Sequence, residues 1–347
     1  MRTRTFLTIS GVAATLVAVT LVATTPVGAA AGTARVADDP RQSHTTTVGV
    51  HNAYQKTTFP YFADALDSGA GLVELDVWTD SWTRGWRVNH ELIGQSNNCT
   101  YGGLRTGSRD GGLTECLANL RLWHDAHPGH RPVIVKVEFK NGFDSRVGLG
   151  PADFDRLVAA RLGDAVYRPA DLLGGYRTLD EAALADNWAT RSRLAGRFLF
   201  EIIPGTFERG NPFDHLWTDT EYASYLRDLA AAGRIGAAQA FPAVLDAAAG
   251  DPRTRYPDES IRPWFVFFDG SASAYVGGGI DPAWYDNRHY HLVMTDAAGV
   301  APPIDATRPS EAEAAARVAQ LAKAHASTVT ADWSALPQVL ATVAPRG

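Results

Sequence analysis

The 347-residue chain has no excess of positive charge: 32 lysines and arginines stand against 38 aspartates and glutamates, a formal charge of -6. A basic face is the usual footprint of a nucleic-acid binder, so no nucleic-acid partner is expected. There are two cysteines, Cys99 and Cys116, too few for a zinc site of their own. Past the N-terminal region no stretch of about 20 consecutive apolar residues occurs, so no later segment reads as a membrane-spanning helix. Several signatures are missing as well: a GxSxG elbow, an HExxH zinc motif, a dinucleotide fingerprint and an internal repeat. Gly277-Gly278-Gly279 has no following Lys-Ser/Thr and reads as a turn rather than a phosphate loop.

The long apolar run that is present lies at the start. Met1-Arg2-Thr3-Arg4 precedes Phe6 to Ala23, and Val27-Gly28-Ala29-Ala30-Ala31 follows. A basic start, an apolar centre and small residues at the end predict a signal peptide over 1–29, cleaved near Ala29 or Ala31, and a secreted, extracellular protein. The apolar run is somewhat long, and its alternative is an uncleaved membrane anchor. Cleavage would remove Arg2 and Arg4 and no acid, leaving the mature chain more acidic. An acidic enzyme acting on a phosphate must neutralise that repulsion locally, with a bound cation or a few basic side chains. In an exported chain Cys99 and Cys116 are expected to form one disulfide, pinning the glycine-rich stretch Tyr101 to Gly112.

Residues 30–44 are small and polar and are expected to form a flexible leader. Beyond them, strand-like runs recur at Thr45 to Val50, Gly71 to Val77, Arg131 to Phe139 and Arg197 to Ile203. Four more follow at Ala237 to Val244, Arg262 to Phe268, Tyr290 to Thr295 and Ser327 to Asp332. Helix-like stretches separate several of them: Pro60 to Ser68, Thr114 to Asp125, Ala152 to Leu162, Thr220 to Ala232 and Ser310 to Ala324. Pro309-Ser310-Glu311 suits a helix start. Alanine gives Ala237 to Ala240 little strand preference. Eight strands with helical crossovers predict an α/β fold, a single TIM-type (β/α)8 barrel over 45–340.

Chemistry concentrates in four places: Val50-His51-Asn52, Glu74-Leu75-Asp76, His90-Glu91 and Val137-Glu138. In a strand, Glu74 and Asp76 share one face, while Val73, Leu75 and Val77 point to the helices. Two carboxylates directed into a barrel repel each other, and a hard divalent cation with oxygen ligands is the simplest remedy. The third strand alternates likewise. Val133, Val135, Val137 and Phe139 form its apolar face, and Lys136, Glu138 and Lys140 point inward. Asn52, Glu74, Asp76 and Glu138 then offer four oxygen ligands from three neighbouring strands. The competing reading is an internal ion-pair network with Lys136 or Lys140. His51 and His90 suit paired acid and base roles near neutral pH, the alternative being satisfied structural histidines.

The segments His51-Asn52-Ala53-Tyr54, Val73-Glu74-Leu75-Asp76-Val77-Trp78 and Val88-Asn89-His90 resemble the catalytic half of the phosphatidylinositol-specific phospholipase C family, in its calcium-dependent bacterial branch. The resemblance spans His51 to Lys140; the second half agrees mainly in strand layout. It implies one calcium ion held by Asn52, Glu74, Asp76 and Glu138. By the same resemblance, His51 assists the nucleophile and stabilises the phosphoryl charge. His90 protonates the leaving oxygen of diacylglycerol. The implied substrate is a phospholipid, phosphatidylinositol, met during transient contact with a membrane surface, and the protein is expected to be monomeric. Lys136 and Lys140 are candidate phosphate contacts. Glu201, Asp269, Asp296 and Asp332 are candidates for inositol hydroxyls; Ser271, a further substrate-binding candidate, lies with Tyr275 in an expected loop after the sixth strand. Trp78, Trp82 and Trp86 crowd the segment before His90, as a rim at a lipid interface or as ordinary packing. The rival enzyme is a glycerophosphodiester phosphodiesterase or phospholipase D-like barrel. Its usual His-Arg and Pro-Glu-Asn-Thr signature is absent here. A catalytically silent lipid- or carbohydrate-binding barrel is the alternative of a different class.

Overall fold

The computed structural model describes residues 39–212 and 216–347; the signal-peptide expectation over 1–29, and residues 30–38 of the expected leader, lie outside them. The strands are β1 (Thr45–Val50), β2 (Leu72–Asp80), β3 (Gly85–Val88), β4 (Val133–Phe139), β5 (Phe198–Pro204), β6 (Ala240–Leu245), β7 (Phe267–Ser271), β8 (His291–Thr295), β9 (Thr328–Ala331) and β10 (Val343–Pro345). Eight run parallel in the order β1-β2-β4-β5-β6-β7-β8-β9, and β9 returns to β1, closing a barrel. The expected (β/α)8 architecture is therefore present.

The seam between β1 and β2 is short. Only Gly49–Leu72 and Val50–Val73 pair across it, because β10 runs antiparallel along Thr45 to Thr47 at the base. Glycine is what lets the two strands approach. A Cβ on Gly49 would stand 2.7 Å from the Leu72 Cβ, and one on Gly71 would stand 2.6 Å from the Thr47 Cβ. No side chain fits in those gaps.

Helices cover the outside of the barrel. In Leu113–Ala126 the buried residues Leu113, Cys116, Leu117, Leu120 and Trp123 recur at helical spacing, which turns one stripe toward the strands. The helix Glu311–Lys323 starts at Ser310 as expected. The Glu313 amide donates to Ser310 Oγ, and the Glu313 carboxylate accepts from the Ser310 amide at 2.9 Å. Cys99 and Cys116 form the expected disulfide, with Cα atoms 5.0 Å apart.

Two of the expected strands begin three or more residues later than their sequence signal. Ile235–Ala237 is a 3-10 turn, so β6 starts at Ala240, as the weak strand preference of alanine allows. Glu259–Trp264 is also 3-10, because Pro263 has no amide for a ladder, and β7 starts at Phe267. The expected loop over Ser271 and Tyr275 is thereby corrected: Ser271 ends β7, and Tyr275 closes the short helix Ala272–Tyr275.

At the base of the barrel, His291 on β8 is buried against Phe267, with ring centroids 4.6 Å apart, and its Nε2 lies 3.0 Å from Thr328 Oγ1. Burial, helped by the charge of Arg346, pushes its pKa from 6.5 down to about 3. The folded pKa is depressed, so the unfolded chain takes up a proton first as pH falls. The stability His291 contributes is complete above pH 6.5 and drains away toward pH 3, by about 3 kcal/mol at pH 4. Urea unfolding at pH 7 and pH 4 should show the wild type losing about that much more stability than His291→Gln. Equal losses in the two proteins would place the acid sensitivity elsewhere.

Candidate active site

β1 ends at Val50, and the chain turns at His51-Asn52 with Asn52 in the left-handed region, φ 53°. That turn directs the Asn52 amide to Glu74 Oε2, 3.1 Å away on β2. The register of β2 on β4 sets Glu74 beside Lys136 and Asp76 beside Glu138, and the next register sets Lys136 beside Glu201. All five side chains enter the barrel because successive residues of a strand alternate between its faces.

The lysines divide the acids between them. Lys136 Nζ is 3.2 Å from Glu74 Oε1 and 2.7 Å from Asp269 Oδ2; Lys140 Nζ is 3.1 Å from Asp76 Oδ2 and 2.9 Å from Glu138 Oε1. The ion-pair network that competed with a metal in the sequence reading is thus present. It is not sufficient. Glu74, Asp76, Glu138, Asp269 and Glu201 outnumber the two lysines, and Glu201 is buried with no hydrogen-bond partner on either oxygen. Burial and the charge of Asp269 push Glu201 well above the usual carboxylate range, even with Lys136 close by. Burial, then Glu74 and Glu138, raise Asp76 to about 7 against the pull of Lys140. Glu74 goes the other way. Burial opposes its charge, but Lys136, His51 and the Asn52 amide outweigh it and lower its pKa.

The donor set fits a hard cation. Glu74, Asp76 and Glu138 each present an oxygen, all within 4.8 Å of one another, inside the span of about 5 Å across a calcium coordination sphere. Asn52 Oδ1 and Asp76 Oδ1 are buried beside them without a hydrogen-bond partner. Two unpartnered acceptors among these buried acids suit a positive partner that the lysines do not supply.

His51 stands at the edge of this cluster, half exposed. Its Nδ1 is 3.0 Å from Asp332 Oδ1, just past β9, and its Nε2 is 3.6 Å from Glu74 Oε2. Burial works against the imidazolium, but the Asp332 hydrogen bond and the charges of Glu74 and Asp332 raise it to about 9. A cavity of about 330 Å³ opens next to it, lined by Lys136, Asp296, Thr330 and Asp332 among others. His90 arrives by another route. β2 runs on to Asp80 and folds back as β3, with Val77 opposite Val88, and the Asn89 amide donates to the Asp76 carbonyl at 3.1 Å. His90 follows directly, exposed, with Nδ1 2.8 Å from Glu91 Oε1.

Asn89 is a residue the sequence reading passed over. Its side chain donates to the carbonyls of Glu91 and Ile93 and accepts from the Ser96 amide, which shapes the loop that carries His90. A polar residue beside a candidate histidine was the available signal. Of the other candidates, Asp269 and Glu201 are fully inside the barrel, within β7 and β5 rather than at strand ends. Asp296 and Asp332 directly follow β8 and β9. Ser271 is partly exposed, with Oγ 2.9 Å from Ser273 Oγ. Among the tryptophans, Trp78 is buried and donates to the Asn89 carbonyl, and Trp86 packs on Phe154. Only Trp82, at 98% exposed, stands at the rim.

Lys136 balances buried acids on both sides, so removing it strands them. Lys136→Met should cost about 3–5 kcal/mol in urea unfolding, the usual penalty for breaking one side of a buried pair. A loss under about 1 kcal/mol would mean that the acids are neutralised without it.

Comparison with known proteins bears on this geometry. The family model for the calcium-dependent phosphoinositide phospholipase C matches residues 103–208. No curated protein matches the chain. The structure of a calcium-dependent phosphatidylinositol-specific phospholipase C from Streptomyces antibioticus is 58% identical over 88% of this chain and 99% of that one, with a TM-score of 0.87. A calcium-dependent phosphoinositol-specific phospholipase C from a Gram-negative Pseudomonas species shares the fold, at 19% identity over 88% and 95% of the two chains and a TM-score of 0.66. With its barrel closed and its acids gathered on β2 and β4, the chain belongs to the calcium-dependent phosphatidylinositol-specific phospholipase C family, whose members are phosphodiesterases.

Proposed function

We propose that the protein cleaves phosphatidylinositol at a membrane surface, releasing diacylglycerol and a cyclic inositol phosphate. The observation that carries this reading is the position of His51, hydrogen-bonded to Asp332 on one side and facing Glu74 of the acid cluster on the other. Asn52, Glu74, Asp76 and Glu138 would hold the calcium ion. Bound there, calcium supplies positive charge that offsets the phosphoryl oxygens, lowers the pKa of the attacking hydroxyl and draws His51 toward its neutral form.

The remaining steps belong to the side chains. The inositol 2-hydroxyl oxygen forms a bond to phosphorus while the bond from phosphorus to the diacylglycerol oxygen breaks. Neutral His51, oriented by Asp332, takes the hydroxyl proton, and the resulting imidazolium faces the phosphoryl charge. His90 gives its proton to the departing oxygen, steadied by Glu91. Asp296 and Asp332 line the cavity beside His51 and are suited to sugar hydroxyls. Lys136 lines the same cavity and Lys140 is the less buried of the two, so both are candidates to approach a phosphate.

Apolar side chains on loops at the same end of the barrel support transient lipid contact. Trp82, Leu92 and Ile93 lie on the β2–β3 turn and the His90 loop, and Phe207 and Leu216 follow β5, all at least half exposed. The disulfide and the basic-then-apolar N-terminus support secretion.

Phosphorus NMR of phosphatidylinositol incubated with the protein should show a cyclic inositol phosphate that forms with calcium and not with chelator. Parallel samples of glycerophosphoinositol should stay intact; cleavage of those instead would reassign the substrate and keep the reaction class. His90→Ala and His51→Ala should each lower turnover about 10²- to 10⁴-fold, the range for a lost general acid or base. A variant with wild-type turnover would remove that histidine from the mechanism.

A further inference from the structure

A second cluster of metal-binding side chains lies at the opposite end of the barrel from His51. His44 ends the short 3-10 helix that leads into β1, Asp186 follows the helix Leu179–Leu184 ahead of β5, and His289 stands two residues before β8. His44 Nε2 is 2.8 Å from Asp186 Oδ2, and His289 Nδ1 is 3.8 Å from Asp186 Oδ1. One donor atom from each of the three lies within 4.8 Å of the others.

An ordinary ion pair accounts for His44 and Asp186. The His289 ring packs against that of His44, with centroids 5.4 Å apart, but its Nδ1 is left without an account. His289 Nδ1 is buried, without a hydrogen-bond partner, and it faces the carboxylate from beyond hydrogen-bond reach. Asp186 and His289 both have left-handed backbone, at φ 51° and 56°, which Asp and His adopt more readily than most side chains. Neighbouring side chains fix the Asp186 carboxylate and the His289 backbone in place. Ser43 Oγ donates to Asp186 Oδ1 at 2.6 Å, Arg41 Nε lies 3.4 Å from Asp186 Oδ2, and Trp188 Nε1 donates to the His289 carbonyl at 2.7 Å.

We propose that His44, Asp186 and His289 form a second metal site, for a divalent transition metal of the zinc class. Two imidazole nitrogens and one carboxylate are a borderline-soft set that suits zinc and its neighbours rather than calcium. Tetrahedral zinc with bonds near 2.1 Å requires donor atoms about 3.4 Å apart. The observed 2.8 Å and 3.8 Å, to the two different oxygens of Asp186, lie either side of that edge, and all three donors fall within 4.8 Å of one another, so side-chain shifts on the order of 1 Å would bring them to three corners. Half-exposed His44 leaves the fourth corner to water. The metal would tie together the segments entering β1, β5 and β8 across the base of the barrel. Its role there is structural, remote from the phosphodiester chemistry.

Cobalt is the probe, added to untagged protein with calcium in excess to fill the oxygen-rich site. One equivalent of Co²⁺ should produce the visible absorption of a tetrahedral complex, and Zn²⁺ should abolish it and raise the thermal midpoint by several degrees. His44→Gln and His289→Asn should each remove the band and the zinc effect while keeping calcium-dependent lipid cleavage. Asparagine tolerates the left-handed backbone at 289; should that variant still misfold, His44→Gln, at an exposed position, decides alone. A spectrum of octahedral cobalt only, or a tetrahedral band that survives at full strength in His44→Gln, would overturn the proposal.

Discussion

Burying carboxylates is expensive, and the interior of this barrel buries several of them close together. Glu74, Asp76, Glu201 and Asp269 are almost wholly removed from solvent, and Glu138 is close behind. Each must be paired, protonated or bound to a cation. The structure uses the first two visibly. Lys136 and Lys140 pair four of the acids, and Glu201, left without a partner, is pushed toward its neutral form. Asp76, raised to about 7 and with one oxygen unpartnered, is the residue where the balance stays open. A divalent cation of the kind on which this family depends would close that open balance.

The fold places this imbalance at the mouth of the barrel rather than in its depths. β2 delivers two acids and continues past the rim to Asp80, and the returning β3 brings His90 back over Asp76. β1 contributes His51 and Asn52 by ending at the rim, and β9 contributes Asp332 in the same way from its other side. Residues at the C-terminal ends of neighbouring strands are free to differ in chemistry while the strands below them pack. The short seam between β1 and β2 shows how tightly that packing constrains sequence, since Gly49 and Gly71 leave no room for a side chain.

Much of this was legible in the sequence, for a local reason. Glu74 and Asp76 alternate with Val73, Leu75 and Val77, and Lys136 and Glu138 alternate with Val135 and Val137. A period of two therefore reveals both the strand and its inward face. Legibility failed where the determining contact is remote or the signal too short. Gly85–Val88 and Val343–Pro345 are strands of four and three residues, too brief for alternation to stand out. The start of β7 was hidden by the continuous apolar run from Trp264 to Phe268, and only Pro263, just before it, hinted at a delay. Asp332 read as a hydroxyl-binding candidate, and nothing local could pair it with His51, which lies 281 positions away. Asp269 and Ser271 were assigned places from a strand boundary that lies further along the chain. The three tryptophans before His90 shared one reading, but cross-strand packing buries Trp78 and half-buries Trp86, leaving Trp82 alone in solvent.

The central claim is that the unsatisfied oxygens of Asn52 and Asp76 belong to a calcium seat. Calorimetric titration with calcium tests it without any lipid. The wild type should bind one ion per chain. Asn52→Ala removes one neutral ligand and no charge, and it should weaken that binding at least tenfold, about 1.4 kcal/mol, with the barrel still folded. Asp76→Asn should weaken it further. Calcium affinity unchanged in both variants would contradict the claim and return the acid cluster to a network of ion pairs.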